Sequence, residues 1–215
     1  MSGGFDAFHS LAPERQKRII EAALKEFADK GFKKASTNTI AAEAQVGKGM
    51  LFYYFGSKEE LFDFLCEYTI AFHRDKYLPL LDISTGDFLE RYVKIAEIKR
   101  EVLKEYHLHI AFFESFYKPA NSEYFQKFQD EISELKDKLI GRIYEKIDYS
   151  LFRQDLDGPK TVEYIRWLFD SYQNDIARRV QNGEVVISDN ESMEQEWKRY
   201  YGFLDDIRKL FYKGL

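Results

Sequence analysis

Two short apolar sets separated by a tight turn constrain this chain more than any other feature. In residues 36–61, STNTIAAEAQVGKGMLFYYFGSKEEL, Ile40, Ala41 and Ala44 fall at i, i+1 and i+4, and so do Leu51, Phe52 and Phe55. Each set marks one face of a short helix. Alanines at 41 and 44 let two helix backbones approach closely, as a steep crossing over a turn of about three residues requires. Asn38, Thr39, Lys48, Met50, Tyr53 and Tyr54 are then left on the outside. The pattern predicts a helix-turn-helix whose second helix is short enough to lie in a DNA major groove.

The outer residues suit that role chemically. A Met and two Tyr on a water-facing surface are poorly explained as solubilising residues. Lys48 can reach guanine acceptors, Met50 can touch a thymine methyl, and the hydroxyls of Tyr53 and Tyr54 can bond phosphate. Gly49 allows close backbone approach, and Asn38 can reach a base edge at the rim of the groove. Ser36 or Thr37 caps the second helix, and a hydroxyl-capped helix N-terminus also favours an anion. Ser57 and Glu60 match a capping box for the next helix. Lys58, in that helix's first turn, opposes the dipole, which makes sense if a phosphate sits there. Lys33 and Lys34 read equally well as solvated turn lysines or as phosphate contacts.

Charge is distributed to match. The net charge is −5, which by itself argues against a nucleic-acid binder. Residues 1–58, however, hold nine Lys and Arg against six Asp and Glu, a balance of +3, leaving 23 against 31, or −8, for the remainder. A basic head on an acidic body fits DNA contact at one end only. The single Cys66 cannot form an internal disulfide and reads as a buried small apolar residue in a reducing interior. No apolar run approaches the ~18 residues of a membrane span and no basic-then-apolar leader opens the chain, so a cytoplasmic location is expected. His107 and His109 are two apart, on different helix faces, with no further ligand at useful spacing, so no metal site is expected. No nucleophile motif, phosphate-binding glycine loop or catalytic carboxylate pair is present, and no cofactor is expected.

Periodicity predicts an all-α chain. Residues 1–9, with two glycines, read as loosely ordered. Ser10 and Pro13 open a helix that carries Ile20, Ala23, Leu24, Phe27 and Ala28 and ends at Gly31. The helix beginning near 58 runs on toward Pro79. The chain restarts at 84–87 into a helix to about 104, then a further one, broken near Tyr106, that carries Phe112, Phe113, Phe116 and Tyr117. Asn121 and Ser122 cap a charge-laced helix to about 149. Residues 157–159 open a helix holding Tyr164, Trp167, Leu168, Tyr172 and Ile176, which stops at Gly183. Residues 188–191 form a second capping box before a last helix with Trp197, Tyr200, Tyr201, Leu204, Ile207, Leu210 and Phe211.

These residues together resemble the TetR family of bacterial transcriptional regulators. The resemblance is carried by residues 19–28 (IIEAALKEFA), 30–32 (KGF), 39–41 (TIA), Ala44 with Val46, Lys48 and Gly49, 51–55 (LFYYF) and 57–61 (SKEEL). It covers about the first 65 residues closely. Three positions depart: Gln45 stands where the family usually has Gly, Gly47 where Ser commonly caps the recognition helix, and Phe52 where Tyr is frequent. The first departure implies a non-glycine residue at positive φ, at roughly 1 kcal/mol of strain.

The resemblance implies a DNA-binding domain at 1–58 and a helical effector-binding and dimerisation domain at 59–215. It implies a homodimer on an inverted-repeat operator, most often a repressor, released by a small hydrophobic or aromatic effector. His109, Phe112, Phe113, Phe116, Tyr117, Trp167 and Tyr172 are candidate pocket residues, although aromatics at helical spacing are more often core packing and His109 reads more readily as a satisfied or surface histidine. The last two long helices are the implied dimer surface, with Ile176, Trp197, Tyr201 and Leu204 as candidate contacts. Two alternatives stay open: an effector-independent DNA-binding protein acting through partner proteins, and an α-helical enzyme.

Overall fold

A computed structural model describes residues 2–81, 87–117, 122–187 and 189–214. In chain order these form α1 (Ser2–His9), α2 (Pro13–Lys34), α3 (Thr37–Glu43), α4 (Lys48–Phe55), α5 (Lys58–Phe72), a π-helical turn (His73–Tyr77), the single turn α6 (Leu78–Leu80) and α7 (Phe88–Glu114). Next come a 3-10 turn (Ser115–Tyr117), α8 (Ser122–Phe125), a second 3-10 turn (Gln126–Phe128), α9 (Gln129–Tyr144), a third (Tyr149–Leu151), α10 (Gly158–Gln181) and α11 (Asn190–Phe211). The all-α expectation holds: among the described residues the extended pairing is limited to one bridge, Phe152 with Tyr212.

The chain divides into two compact units. The first holds the described residues up to Leu80 together with Val102–Lys138, and the second holds Leu81–Glu101 together with Leu139 onward. In the first, Ile19, Ala23, Leu24 and Phe27 of α2 pack with Ile40, Ala41 and Ala44, with Leu51 and Phe55, and with Leu61, Phe62 and Leu65, all buried. Cys66 is buried here too, and burial pushes its thiol well above the ordinary range, so it stays an inert apolar residue. Phe112, Phe116 and Phe125 complete this core around Phe62.

The second unit is built on Phe88, Leu89, Tyr92, Ile143, Phe152, Val162, Ile165, Phe169, Leu204, Ile207 and Tyr212. Its polar fastenings are specific. Asp87 accepts from the Leu89 amide (2.8 Å) and from the Tyr212 hydroxyl (2.8 Å), and pairs with Arg208 (3.0 Å), so the last residues dock on the start of α7. Buried Arg91 donates to the carbonyls of Ile143 (2.7 Å) and Glu145 (2.5 Å) at the end of α9, where orphan acceptors and the helix dipole both favour a cation.

Several boundaries differ from the sequence reading. Residues 2–9 are helical, because Phe5 and Phe8 lie one turn apart and bury against Phe55 and Phe64. Ser10 accordingly bonds back to Ala7 (2.8 Å), while Pro13 does sit in the first turn of α2. Gly31, at φ 68°, breaks α2 as expected. Tyr106 (φ −120°, ψ 27°) kinks a single long α7 rather than separating two helices. The helix expected from 121 to about 149 is split by the 3-10 turn at Gln126–Phe128 and stops at Tyr144. Asp189 caps α11 by accepting from Ser192 N (2.8 Å), one residue later than the box expected at 188–191. The restart at 84–86, Asn121, Ser188 and the side chain of Ser122 lie outside the described residues.

Candidate nucleic-acid interface

The helix-turn-helix is assembled locally. Ser36 caps α3, its hydroxyl oxygen accepting from Thr39 N (3.3 Å), while its own amide donates to Glu26 of α2 (2.9 Å). Thr37 is half-buried and Asn38 exposed. At the far end of α3, Val46 N donates to Ala41 O (2.9 Å) and Gln45 N to Ala42 O (3.1 Å), closing the helix around a left-handed residue. That residue is Gln45, at φ 57°. The strain expected from the absent glycine is present, and Gln45→Gly should stabilise the protein by about 1 kcal/mol in urea unfolding. A destabilised variant would show that the glutamine side chain makes up the difference.

Recognition helix α4 starts at Gly47, which supplies no side-chain cap. Lys48, Gly49, Met50 and Tyr53 form a continuous exposed surface, Tyr53 being 59% exposed and Met50 40%. A β-carbon at 49 would meet no atom of the chain, so nothing inside the protein demands glycine there. The helix ends at Gly56 (φ 73°), where a β-carbon would lie 2.2 Å from Glu60 Oε2. Ser57 then caps α5 by accepting from Glu60 N (3.0 Å). The reciprocal half of the expected capping box is replaced, since Ser57 N donates to Phe55 O (2.8 Å).

Tyr54 is the main correction. It is buried, 4% exposed, with its ring against Phe8. The inner face of α4 is Leu51, Tyr54 and Phe55, at i, i+3 and i+4, and Phe52 is displaced to a half-buried flank beneath Lys48 Nζ, 5.8 Å from the ring centroid. Phe8, supplied by α1, provides the partner that makes position 54 interior. Sequence reasoning therefore missed α1 as a buttress of α4; the spacing of Phe5 and Phe8 was its signal. Gly4 permits the approach, because a β-carbon there would sit 2.6 Å from Tyr53 O.

Lys58 is half-exposed. Its ammonium lies 4.9 Å from the Phe32 ring centroid and donates to Lys33 O (3.4 Å), and burial lowers its pKa, partly offset by Glu26. The expected pocket residues separate. His109, Phe112, Phe113 and Phe116 belong to the first unit, Trp167 and Tyr172 to the second, and the side chain of Tyr117 is outside the described set. Phe112 and Phe116 are core, while Phe113 stacks on His73 (3.9 Å). His109 is buried among Tyr68, Phe72 and Tyr106, and its Nδ1 meets no hydrogen-bond partner among the described residues. Burial, with Lys76, His107 and Lys17 nearby, pushes its pKa down to about 4, so the ring is neutral at pH 7.

Trp167 is 55% exposed on the surface of α10, contrary to a pocket position. Tyr172 donates to Glu196 (2.6 Å) and stacks on Phe203. Leu204, expected at a dimer surface, is spent in the core of its own unit, whereas Ile176, Trp197 and Tyr201 are half-buried. Among the described residues no cluster of three or more His, Cys, Asp or Glu is arranged to hold a metal, and no helix is long and apolar enough to cross a membrane.

Residues 19–64, spanning most of α2 through the first half of α5, match the family model for bacterial regulatory proteins of the TetR family. The resemblance to the TetR family is thus shown over residues 19–64. The transcriptional repressor KstR2 of Mycobacterium tuberculosis is 25% identical over 153 residues, covering 71% of this chain and 76% of that protein. The regulator YhgD of Bacillus subtilis is 46% identical over 53 residues, 25% of this chain and 28% of its own length. The solved structure of the M. tuberculosis KstR2 shares the fold, with a TM-score of 0.56 and 20% identity over 95% of this chain and 98% of that one. With these relatives the chain is a DNA-binding transcriptional regulator, not an enzyme.

Proposed function

We propose that this regulator is a TetR-family repressor that binds an inverted-repeat operator as a homodimer and releases it when a small hydrophobic or aromatic effector binds the body. The observation that carries this reading is the exposed run Asn38, Lys48, Gly49, Met50 and Tyr53, whose amide, ammonium, thioether and phenol match base edges and phosphates, with a glycine that nothing inside the protein requires. Ser36, Thr37 and Lys58 flank it as phosphate contacts. Residues 1–58 thus carry the DNA contacts, and 59–215 the effector and dimer functions. The repressor relative KstR2 supports the direction of regulation.

The dimer surface is assigned to α10 and α11. Tyr164, Trp167 and Leu168 expose a stripe at i, i+3 and i+4 on α10, and Ile176, Trp197 and Tyr201 remain accessible enough to join it. Leu204 drops out, being interior. Two-fold symmetry sets the recognition helices roughly 34–36 Å apart on DNA. The effector reading rests on His109 and the neighbouring phenylalanines, where one neutral, unpartnered imidazole nitrogen lies in an aromatic setting. An effector acts by preferring the state that cannot span two successive grooves by a few kcal/mol.

Mobility shifts on DNA upstream of its own gene test the reading. Affinity should fall steeply with salt, by several ion equivalents for each dimer. Lys58→Ala should weaken binding to all sequences alike, whereas Lys48→Ala and Tyr53→Ala should change sequence preference. A flat salt response, or identical effects of all three on every sequence, would overturn the base-reading assignment.

A further inference from the structure

The lysines that flank the recognition surface are held by an element more than sixty residues away in sequence. Phe32, just after the Gly31 break, packs on Tyr124 of α8 with its ring tilted by 35° (centroids 4.1 Å apart) and meets Phe62 edge-on (5.1 Å). Lys33 lies 5.8 Å from the Tyr124 ring centroid and pairs with the Glu123 carboxylate at 3.5 Å. Lys58 sits over the other ring, that of Phe32, and bonds Lys33 O. The segment bearing Tyr124 is itself tied to α5 by the Lys127–Asp63 ion pair and by Phe125 against Phe62 (5.2 Å). All of these residues belong to the first unit.

We infer that α8 is a positioning element of the DNA-binding head, in which Tyr124 fixes the turn at residues 31–34 through Phe32 while Glu123 competes with the DNA phosphate for Lys33. The physical argument has two parts. A close aromatic contact is short-ranged and directional, so the Tyr124 ring sets where the backbone of Lys33, and through its carbonyl the ammonium of Lys58, can stand. The ion pair is of the opposite kind. Both its side chains are well exposed, 68% and 75%, so it is weak, salt-screened and readily exchanged. A phosphate arriving at Lys33 must displace Glu123, and a bound strand releases one fewer counterion at Lys33 than a free lysine would give. Glu123 therefore lowers affinity without touching DNA, and does so equally for every sequence. The inference rests on the reading above that Lys58 contacts phosphate, and extends that contact to Lys33, whose carbonyl Lys58 bonds.

The test uses the full-length protein and a pool of random-sequence duplexes, with binding followed by fluorescence anisotropy across a salt series. Glu123→Gln should raise affinity about threefold at low salt and steepen the dependence of log K on log salt by about one for each head. In a Lys33→Ala background the same change should have no effect on either quantity. Tyr124→Ala should weaken binding several-fold with all duplexes, and Tyr124→Phe should restore it, since the ring and not the hydroxyl packs on Phe32. An unchanged salt slope for Glu123→Gln, or an equal gain with Lys33 already removed, would overturn the competition, the second by showing only a general charge effect. Failure of the unaltered protein to bind any duplex at low salt would instead defeat the DNA-facing assignment, and this inference with it.

Discussion

Replacing Glu196 by alanine is expected to cost the fold about 3–5 kcal/mol, because it strands a buried guanidinium. Glu196 is 4% exposed and holds Arg179, which is nearly as buried, through contacts of 2.6 and 2.8 Å. It also accepts the Tyr172 hydroxyl at 2.6 Å. The hydrogen bond that Arg179 donates to Glu196 is the first cause holding the Arg179 pKa above its usual value, and burial leads in raising that of Tyr172. Asp175 remains on the Arg179 Nε (2.9 Å), so the lower end of the range is expected. Arg179→Met combined with Glu196→Leu should cost far less, since two apolar chains replace a pair whose desolvation nearly offset its attraction. Urea unfolding of the single and double variants checks this. A single variant within about 1 kcal/mol of the parent would mean that water reaches Arg179 freely. The network joins α10 to α11, the helices assigned above to the dimer surface, so the single variant should also shift the oligomeric state.

Phe8→Ala should be comparably severe, about 3–5 kcal/mol, by opening a cavity that its neighbours cannot refill. Phe8 is 1% exposed and packs on Phe55 (4.9 Å) and Phe64 (5.4 Å), with Tyr54 at 6.2 Å. Half-buried Phe5→Ala should cost markedly less. The informative second measurement is DNA affinity at temperatures where the variant remains folded. With Phe8 gone, Tyr54 loses the partner that keeps α4 at its present rotation, and DNA binding should weaken before global unfolding. A Phe8→Ala protein with native stability and native DNA affinity would show that α1 does not buttress the recognition helix.

The two helices of the DNA-binding motif, their order and their turn were legible in the sequence for a local reason. Ile40, Ala41 and Ala44 are separated by at most four residues, and their burial follows from helix geometry alone. The positive φ of Gln45 was legible only through the resemblance, whose usual glycine marks that turn position. The break in α2 at Gly31 and the start of α10, where Asp157 accepts from Lys160 N (2.9 Å), belong with the local features.

What tertiary structure alone decided are the choices between residues of similar chemistry. Phe52 and Tyr54 are both large aromatics on one short helix, and hydropathy favours burying the phenylalanine. The partner α1 reversed that, because of these two rings it is Tyr54 that meets Phe8. The same holds for Leu204 and Trp167: both lie on apolar stripes of long helices, yet Leu204 fell toward Ile165 and Phe169 while Trp167 faced outward. Stripes wider than one neighbour can cover do not specify which edge is covered. Arg91 on the end of α9, Glu196 beneath Arg179 and Glu123 beside Lys33 join residues 17 to 90 positions apart, and no periodicity links such pairs. Local spacing therefore determined which segments are helices and that two of them form a groove-reading pair. Long-range packing decided which side chains that pair presents, because rotation of a helix about its axis is set by what it packs against and not by its own sequence.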